Sequence, residues 1–121
     1  NLKVKNLVYL GEVDSAVDFM NSKAIGIVPL LSGSGMRIKI VEAMALGKAQ
    51  VTTKIGAEGN PAKDGIEIMI ADDPNEFASH IVRLITDRSL YETIRSNANK
   101  VAIENFSWKP LINNLENIYV R

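Results

Sequence analysis

The chain has 121 residues, of which 46% are hydrophobic and 23% charged, and its 14 basic residues balance 14 acidic ones. This length allows one domain with a hydrophobic core of its own, and the zero net charge excludes a general attraction to nucleic acid or to an anionic membrane. Because cysteine is absent, disulfides, thiol nucleophiles and cysteine metal sites are excluded. The chain begins without a methionine, directly before a predicted strand, so we expect it to be a piece of a longer protein.

The hydrophobic pattern predicts strands that alternate with helices. Apolar segments predict four strands, at residues 5–10, 24–30, 49–53 and 66–71. The second should be covered on both faces, because it is apolar throughout. Helices are predicted after Ser15, at about 36–46, from Asp73, at 89–104 and from Ser107. This alternation predicts an α/β, Rossmann-like, doubly wound and mostly parallel sheet, followed by a helical C-terminal tail over about 74–121.

The helical tail is predicted to pack through regular apolar faces. The inward residues are predicted to be Phe77, Ile81, Leu84 and Ile85, then Tyr91, Ile94, Ala98 and Val101, and finally Trp108 and Tyr119. The only histidine, His80, lies on the first of these faces and is expected to be packed or capping rather than catalytic. Asp72 and Asp73 precede the first helix and are expected to cap it rather than to bind a metal.

Two glycine-containing loops are predicted to lie at the same end of the sheet. Gly33-Ser34-Gly35 follows the second strand, and Gly56-Ala57-Glu58-Gly59 follows the third. Ligands of parallel sheets bind at the carboxyl ends of the strands. We therefore expect the ligand site at this rim, meaning residues 33–35 and 56–59, where Glu58 is either a ligand contact or a solvated loop carboxylate.

The segment from Gly33 to Gly47 carries the strongest functional signal. Glycines allow a phosphate to approach the backbone closely, and the N-terminus of the next helix offers unpaired N–H groups with a partial positive charge. Lys39 and Glu42 lie three residues apart on one helix face, so a cation would lie near a phosphate, and a carboxylate one turn deeper could accept two ribose hydroxyls. From the spacing alone, an ordinary turn followed by a modest Lys39–Glu42 pair explains the segment equally well.

The same segment departs from two phosphate-binding motifs. Ile38 stands where the dinucleotide fingerprint needs its third small residue, and the Lys-Ser/Thr pair of a P-loop is missing. A dinucleotide domain would also need an acidic residue at the end of the next strand, where Thr52 and Thr53 stand. A non-catalytic receiver- or flavodoxin-like module that holds a phosphate-bearing ligand or a protein partner stays open, although the strand ends carry no acidic cluster.

The order of these motifs resembles a known family. The segment IVPLLSGSGMRIKIVEAMALGKAQVTTKIGAEG, followed by IMIADDPNEFASHIVRLITD and FSW, is similar to the C-terminal, donor-binding domain of GT-B glycosyltransferases. It resembles in particular the retaining family called glycosyltransferases group 1, or family 4. The resemblance runs from about Val8 to Tyr119, and GSGMRIKIVEAMALGK is its specific core. It implies that residues 1–121 form one partial nucleotide-sugar-binding domain, truncated on its N-terminal side, of a longer two-domain enzyme.

The resemblance implies transfer of a sugar from a nucleoside diphosphate, without a metal ion or other cofactor. The glutamate matching Glu42 would hold the ribose hydroxyls, and Glu58 matches a G-x-E-G stretch often seen in the family. The residues expected at the diphosphate and the donor sugar are Gly33, Ser34, Gly35, Met36, Arg37 and Lys39. The resemblance assigns no catalytic residue within this chain.

Departures from the family pattern bear on the substrate and on activity. Many members have two glutamates eight positions apart, and Ser34 stands where the first would be, so one contact to the donor sugar is lost or replaced. The acceptor-binding N-terminal domain is absent, so the chain alone should not catalyse the transfer. We expect a cytoplasmic enzyme of glycan or polysaccharide biosynthesis, and a peripheral association with the inner face of the membrane stays open.

Overall fold

The computed structural model describes residues 24–105, and these contain one parallel sheet. The strands β1 (Ile25–Val28), β2 (Ala49–Thr52) and β3 (Met69–Ile70) are hydrogen-bonded in the order β1-β2-β3. In the register, Ile25 pairs with Ala49 and Val51 pairs with Met69. The strand predicted at 5–10, the helix after Ser15 and the helix from Ser107, with Trp108 and Tyr119, lie outside the described residues.

Within residues 24–105, three helices surround this sheet. Helix α1 (Ile38–Ala45) connects β1 to β2, and helices α2 (Pro74–Thr86) and α3 (Arg88–Asn105) follow β3. The predicted α/β, Rossmann-like architecture with a parallel sheet and a helical tail is confirmed within residues 24–105.

The core lies on both faces of β2, whose four residues are all buried. Because side chains alternate along a strand, Ala49 and Val51 face one side and Gln50 and Thr52 the other. One apolar cluster joins α2 and α3 to the sheet through Ala49, Val51, Met69, Leu84 and Ile94. The other cluster joins α1 and α3 through Ile40, Met44, Ala62, Ile68, Ala98 and Ala102. Helices α1 and α2 therefore cover opposite faces, as a doubly wound sheet requires.

Helix α1 is fixed firmly at its C-terminal end. Gly47 follows the helix with a φ of 72°, and its N–H donates to the Met44 carbonyl at 3.0 Å, while the Lys48 N–H donates to the Ala43 carbonyl at 2.9 Å. These two bonds form a Schellman motif, which satisfies the last carbonyls of a helix. The Asn99 side chain of α3 also donates to the Ala45 carbonyl at 2.8 Å. The predicted stop at Gly47 is therefore confirmed.

The prediction that the second strand is covered on both faces is wrong for the described part of the chain. Strand β1 forms an edge of the three-stranded sheet, and Ile27 is 53% exposed. Ile85 was also predicted to face inward, but it is 67% exposed. Leu84, directly beside it, takes the buried position on α2, and Ile85 instead lines a shallow groove of about 200 Å³ with Ala24 and Tyr91.

The strand predicted at 66–71 is much shorter in the structure, because a turn uses its first residues. The N–H groups of Ile66 and Glu67 both donate to the Lys63 carbonyl at 3.1 Å. The Glu67 carboxylate in turn accepts the Lys63 N–H at 3.1 Å. Backbone groups that are satisfied within a turn are not available to a sheet ladder, so β3 is confined to Met69–Ile70.

Candidate functional site

The two rim loops lie against each other in the structure. The Gly35 N–H donates to a carboxylate oxygen of Glu58 at 2.6 Å, across 23 residues of sequence. A Cβ placed on Gly59 would lie 3.4 Å from the Cβ of Met36, so the second loop also packs against the residue that follows the first. The two loops therefore lie at one end of the sheet, as the parallel order of the strands predicts.

Two threonine hydroxyls join the ends of β1 and β2 beneath the rim. Thr52 Oγ1 donates to the Val28 carbonyl at 2.8 Å, and Thr53 Oγ1 donates to the Leu30 carbonyl. A Cβ on Gly56 would lie 2.0 Å from Thr52 Oγ1, so a side chain at that position would collide with this link. From the sequence, Thr52 and Thr53 are notable only because they stand where a dinucleotide domain has an acidic residue. The feature of the sequence that could have predicted this link is the pair of hydroxyl residues, Thr52 and Thr53, at the end of a buried strand.

Side chains also hold both ends of the second rim loop. The Asp72 carboxylate accepts the Lys54 N–H at 2.9 Å, at the start of the loop. At its end, Asn60 Oδ1 accepts the Ala62 N–H at 2.9 Å, and Asn60 Nδ2 lies 3.5 Å from the Met44 sulfur of α1. Asp72 therefore anchors a loop, and the predicted capping role belongs to Asp73 alone, which accepts the Glu76 N–H at 2.9 Å.

Among the residues that the structure describes, no side chain caps the N-terminus of α1. The residue at the cap position, Arg37, offers no acceptor, and the first turn contains no acidic residue. The N–H groups of Ile38 and Lys39 have no acceptor among the residues that the structure describes. The helix begins at Ile38 rather than at Met36 as predicted, so its open end lies directly after the rim loop. Unpaired N–H groups with the helix dipole behind them attract an anion.

Lys39 and Glu42 do not pair with each other. Lys39 is exposed and Glu42 is half-buried. Within residues 24–105, neither side chain makes a hydrogen bond or an ion pair. The modest helix pair that spacing alone allowed is therefore not formed, and both charged groups are available to a ligand.

Arg37 is turned towards the rim loop itself. Its Nη1 donates to the Ser34 carbonyl at 2.7 Å and also to the Gly35 carbonyl. Gly33 and Gly35 have φ values of 122° and 84°, in the region that favours glycine. The guanidinium thus braces the carbonyl side of this loop, and its predicted role as a phosphate ligand stays a prediction.

The remaining candidates lie away from the rim. His80 on α2 has a side chain that is 13% exposed, and its Nε2 lies 3.6 Å from the Glu76 carboxylate. Neither ring nitrogen is hydrogen-bonded, which agrees with the expected packed position. No three His, Asp or Glu side chains between residues 24 and 105 cluster closely enough to hold a metal ion. Over the same range, no helix combines the length and the apolar character needed to span a bilayer.

Comparison with known proteins identifies the family. The family described as Glycosyl transferases group 1 matches residues 1–87. The chain belongs to the group 1 glycosyltransferases. Its parallel sheet with helices on both faces agrees with this membership. The membership favours the glycosyltransferase interpretation over the receiver-like module and the dinucleotide domain that the sequence left open.

Several relatives of this glycosyltransferase chain are larger proteins. Two uncharacterised glycosyltransferases of Methanocaldococcus jannaschii are 27% and 28% identical over 98% and 95% of the chain. An uncharacterised 44.6 kDa protein in the cps region of Klebsiella pneumoniae is 32% identical over 78% of it. The chain spans 34%, 30% and 24% of the length of these three relatives, respectively.

Proposed function

We propose that the rim and the N-terminus of α1 bind a nucleoside diphosphate-sugar, the donor substrate of a retaining glycosyltransferase of glycan or polysaccharide biosynthesis. The observation that carries this proposal is the start of α1, where neither the first N–H groups nor the Lys39 side chain has a partner within residues 24–105. Membership of the group 1 glycosyltransferases supplies the class of reaction.

In this proposal each charged group of α1 binds a different part of the ligand. The diphosphate lies at the N–H groups of Ile38 and Lys39, and the Lys39 ammonium neutralises part of its charge. Glu42, one turn further along, accepts hydrogen bonds from the ribose hydroxyls. The donor sugar lies over the loop Gly33–Gly35. This assignment follows the order of the groups along α1, in which the N-terminus and Lys39 precede Glu42.

The proposed contribution to catalysis is electrostatic. When the bond between the anomeric carbon and the diphosphate breaks, negative charge grows on the diphosphate. Fixed donors aimed at that charge stabilise the transition state more than the ground state. Here those donors are backbone N–H groups of the rim and Lys39, while Glu42 orients the nucleoside. The acceptor is bound by another part of the enzyme, and the transfer uses neither a metal ion nor a further cofactor.

The test is a calorimetric titration of the purified protein with UDP, GDP and ADP. Glu42→Gln keeps the size of the side chain and removes its charge, and we expect affinity for the preferred nucleotide to fall about tenfold. Lys39→Ala should weaken it similarly. Glu104→Gln and Lys100→Ala are the matched controls, because both residues are exposed on α3. Equal losses from the controls, or binding that is indifferent to both Glu42 and Lys39, would contradict the proposed site.

Amide chemical shifts provide an independent map of the same site. Titration with the preferred nucleotide should move the amide signals of residues 33–39 and of the 56–59 loop. Shifts confined to the groove between Ala24 and Tyr91 would place the nucleotide elsewhere, because that groove is formed by β1, α2 and α3.

A further inference from the structure

The Glu58 carboxylate contacts the rim loop as an anion. Its oxygen accepts the Gly35 N–H at 2.6 Å, and a hydrogen bond to a carboxylate is stronger than one to a neutral acceptor. No arginine, lysine or histidine among residues 24–105 forms an ion pair with this carboxylate. The bond to the loop N–H is therefore its only polar side-chain contact in that part of the chain.

The position of this bond bears on ligand entry. Gly35 precedes the first residue of α1 by three positions, so its N–H lies close in sequence to the N–H groups of Ile38 and Lys39, which have no acceptor within residues 24–105. We propose that Glu58 is an internal anion that occupies the Gly35 N–H in the ligand-free protein and is released when an anionic ligand binds. The inference rests on the proposed function, because it assumes that phosphate groups approach this loop.

The rim is built so that the Glu58 side chain can leave while the loops stay in place. The backbone around it is held separately, since the Ala57 N–H donates to the Thr53 carbonyl at 3.0 Å and the Glu58 N–H donates to the Ile55 carbonyl at 3.2 Å. The side chain itself is exposed. On the other loop, the bond from Arg37 to the Ser34 carbonyl does not involve Glu58. Release therefore costs one hydrogen bond and one side-chain rotation.

Release of Glu58 removes a like charge from the neighbourhood of the ligand. Two anions that share one run of donors repel each other, and the repulsion is screened by salt. The affinity of the rim for an anionic ligand is therefore lower than it would be if no carboxylate occupied the Gly35 N–H. A substitution that removes the charge at position 58 but keeps the shape of the side chain should raise this affinity.

The test uses inorganic pyrophosphate, which carries the phosphate charge without a nucleobase. Affinity is measured by calorimetry at low ionic strength for the wild-type protein, Glu58→Gln, Glu58→Ala and the control Glu104→Gln. We expect both substitutions of Glu58 to tighten pyrophosphate binding by roughly two- to fivefold, as for an exposed charge pair. The gain should shrink as salt is added, and Glu104→Gln should change little.

A second readout follows the Gly35 amide directly. Its proton resonance should move upfield when Glu58 is replaced by alanine, because a short hydrogen bond to a carboxylate is lost. In the wild-type protein, pyrophosphate should also change the signals of the Glu58 side chain as the carboxylate is released.

The outcomes separate this inference from the proposed function. If Glu58→Gln leaves affinity unchanged and Glu58→Ala lowers it, the carboxylate supports the loop and the inference is overturned. If nucleoside diphosphates bind through Glu42 and Lys39 but neither Glu58 variant tightens pyrophosphate binding, the inference fails and the proposed function stands. If binding ignores Lys39 and Glu42 as well, both are overturned.

Discussion

Helices α1 and α2 begin in opposite ways. At α2, the Asp73 carboxylate accepts the Glu76 N–H and Pro74 occupies the first turn, where its missing N–H is not needed. At α1, Arg37 provides no acceptor for the first N–H groups. An aspartate cap stabilises a helix by about 1 kcal/mol. The start of α2 is thus completed within the fold, while the start of α1 keeps N–H groups that have no acceptor within residues 24–105 and that the proposed function assigns to a ligand.

The difference between the two helix starts can be removed by introducing a side-chain cap on α1. Arg37→Asp would place a carboxylate within reach of the Lys39 N–H, while Arg37→Ala removes the guanidinium without adding a cap. We expect Arg37→Asp to bind pyrophosphate at least about tenfold more weakly than Arg37→Ala, because the donors are filled and a like charge is added. Calorimetric titration of the two variants measures this difference.

For the same two variants, the free energy of unfolding should change in the opposite direction to the pyrophosphate affinity. The new cap should make Arg37→Asp about 1 kcal/mol more stable than Arg37→Ala in urea unfolding. If Arg37→Asp binds pyrophosphate as well as Arg37→Ala does, the N-terminus of α1 is not the anion site.

The two ends of α1 can also be compared with each other. Backbone hydrogen bonds cap its C-terminus, whereas no side chain within residues 24–105 caps its N-terminus. Gly47→Ala places a Cβ at a φ of 72°, and we expect a loss of about 1–2 kcal/mol in the free energy of unfolding. Gly47→Asn is the control, because asparagine tolerates this conformation better. Equal stability of wild-type and Gly47→Ala protein in urea titrations would show that the Schellman motif is not needed.

Much of this asymmetry could be predicted from the sequence. The apolar run of β1, the nearly continuous apolar sequence of α1 and the glycine at position 47 predict these elements and the stop of the helix. The parallel order of the strands then placed the loops after β1 and β2 at one rim. These features depend on local patterns and on chain topology, which a sequence displays directly.

Other features depend on choices that a sequence does not display. The long side chain of Arg37 could reach a ligand or its own loop, and only the folded geometry shows that it reaches the Ser34 carbonyl. Leu84 and Ile85 are adjacent and equally apolar, so periodicity could not decide that only Leu84 is buried. The short β3 results from a turn in which Glu67 competes for backbone donors.

The cap on α2 provides the reverse test. Asp73→Ala removes the acceptor for the Glu76 N–H, and we expect the free energy of unfolding to fall by about 1 kcal/mol. Asp73→Asn retains an acceptor oxygen and should recover most of that loss. Thermal and urea unfolding measure the stability. Pyrophosphate affinity should stay within error of the wild type, and a loss of affinity would mean that the two helix starts are not independent.

The smallest effect is expected at the start of α3. Arg88 lies in the first turn of this helix and forms an exposed ion pair with Glu92 at 3.3 Å. Arg88→Ala loses that weak pair but also removes a cation from the positive end of the helix dipole. We expect the free energy of unfolding to change by less than about 0.5 kcal/mol. A larger loss in urea titrations would show that Arg88 supports the fold through its packing on Tyr91.

The second rim loop is held at both ends by side chains, and its tip contacts the first rim loop through Glu58 and Gly59. Asp72 holds its start at Lys54, and Asn60 holds its end beside α1. These anchors lie outside positions 57 and 58, so a substitution there changes the surface that the tip presents and leaves the anchors in place. Under the proposed function, such a substitution would alter the fit of the donor while the framework that holds the loop is kept.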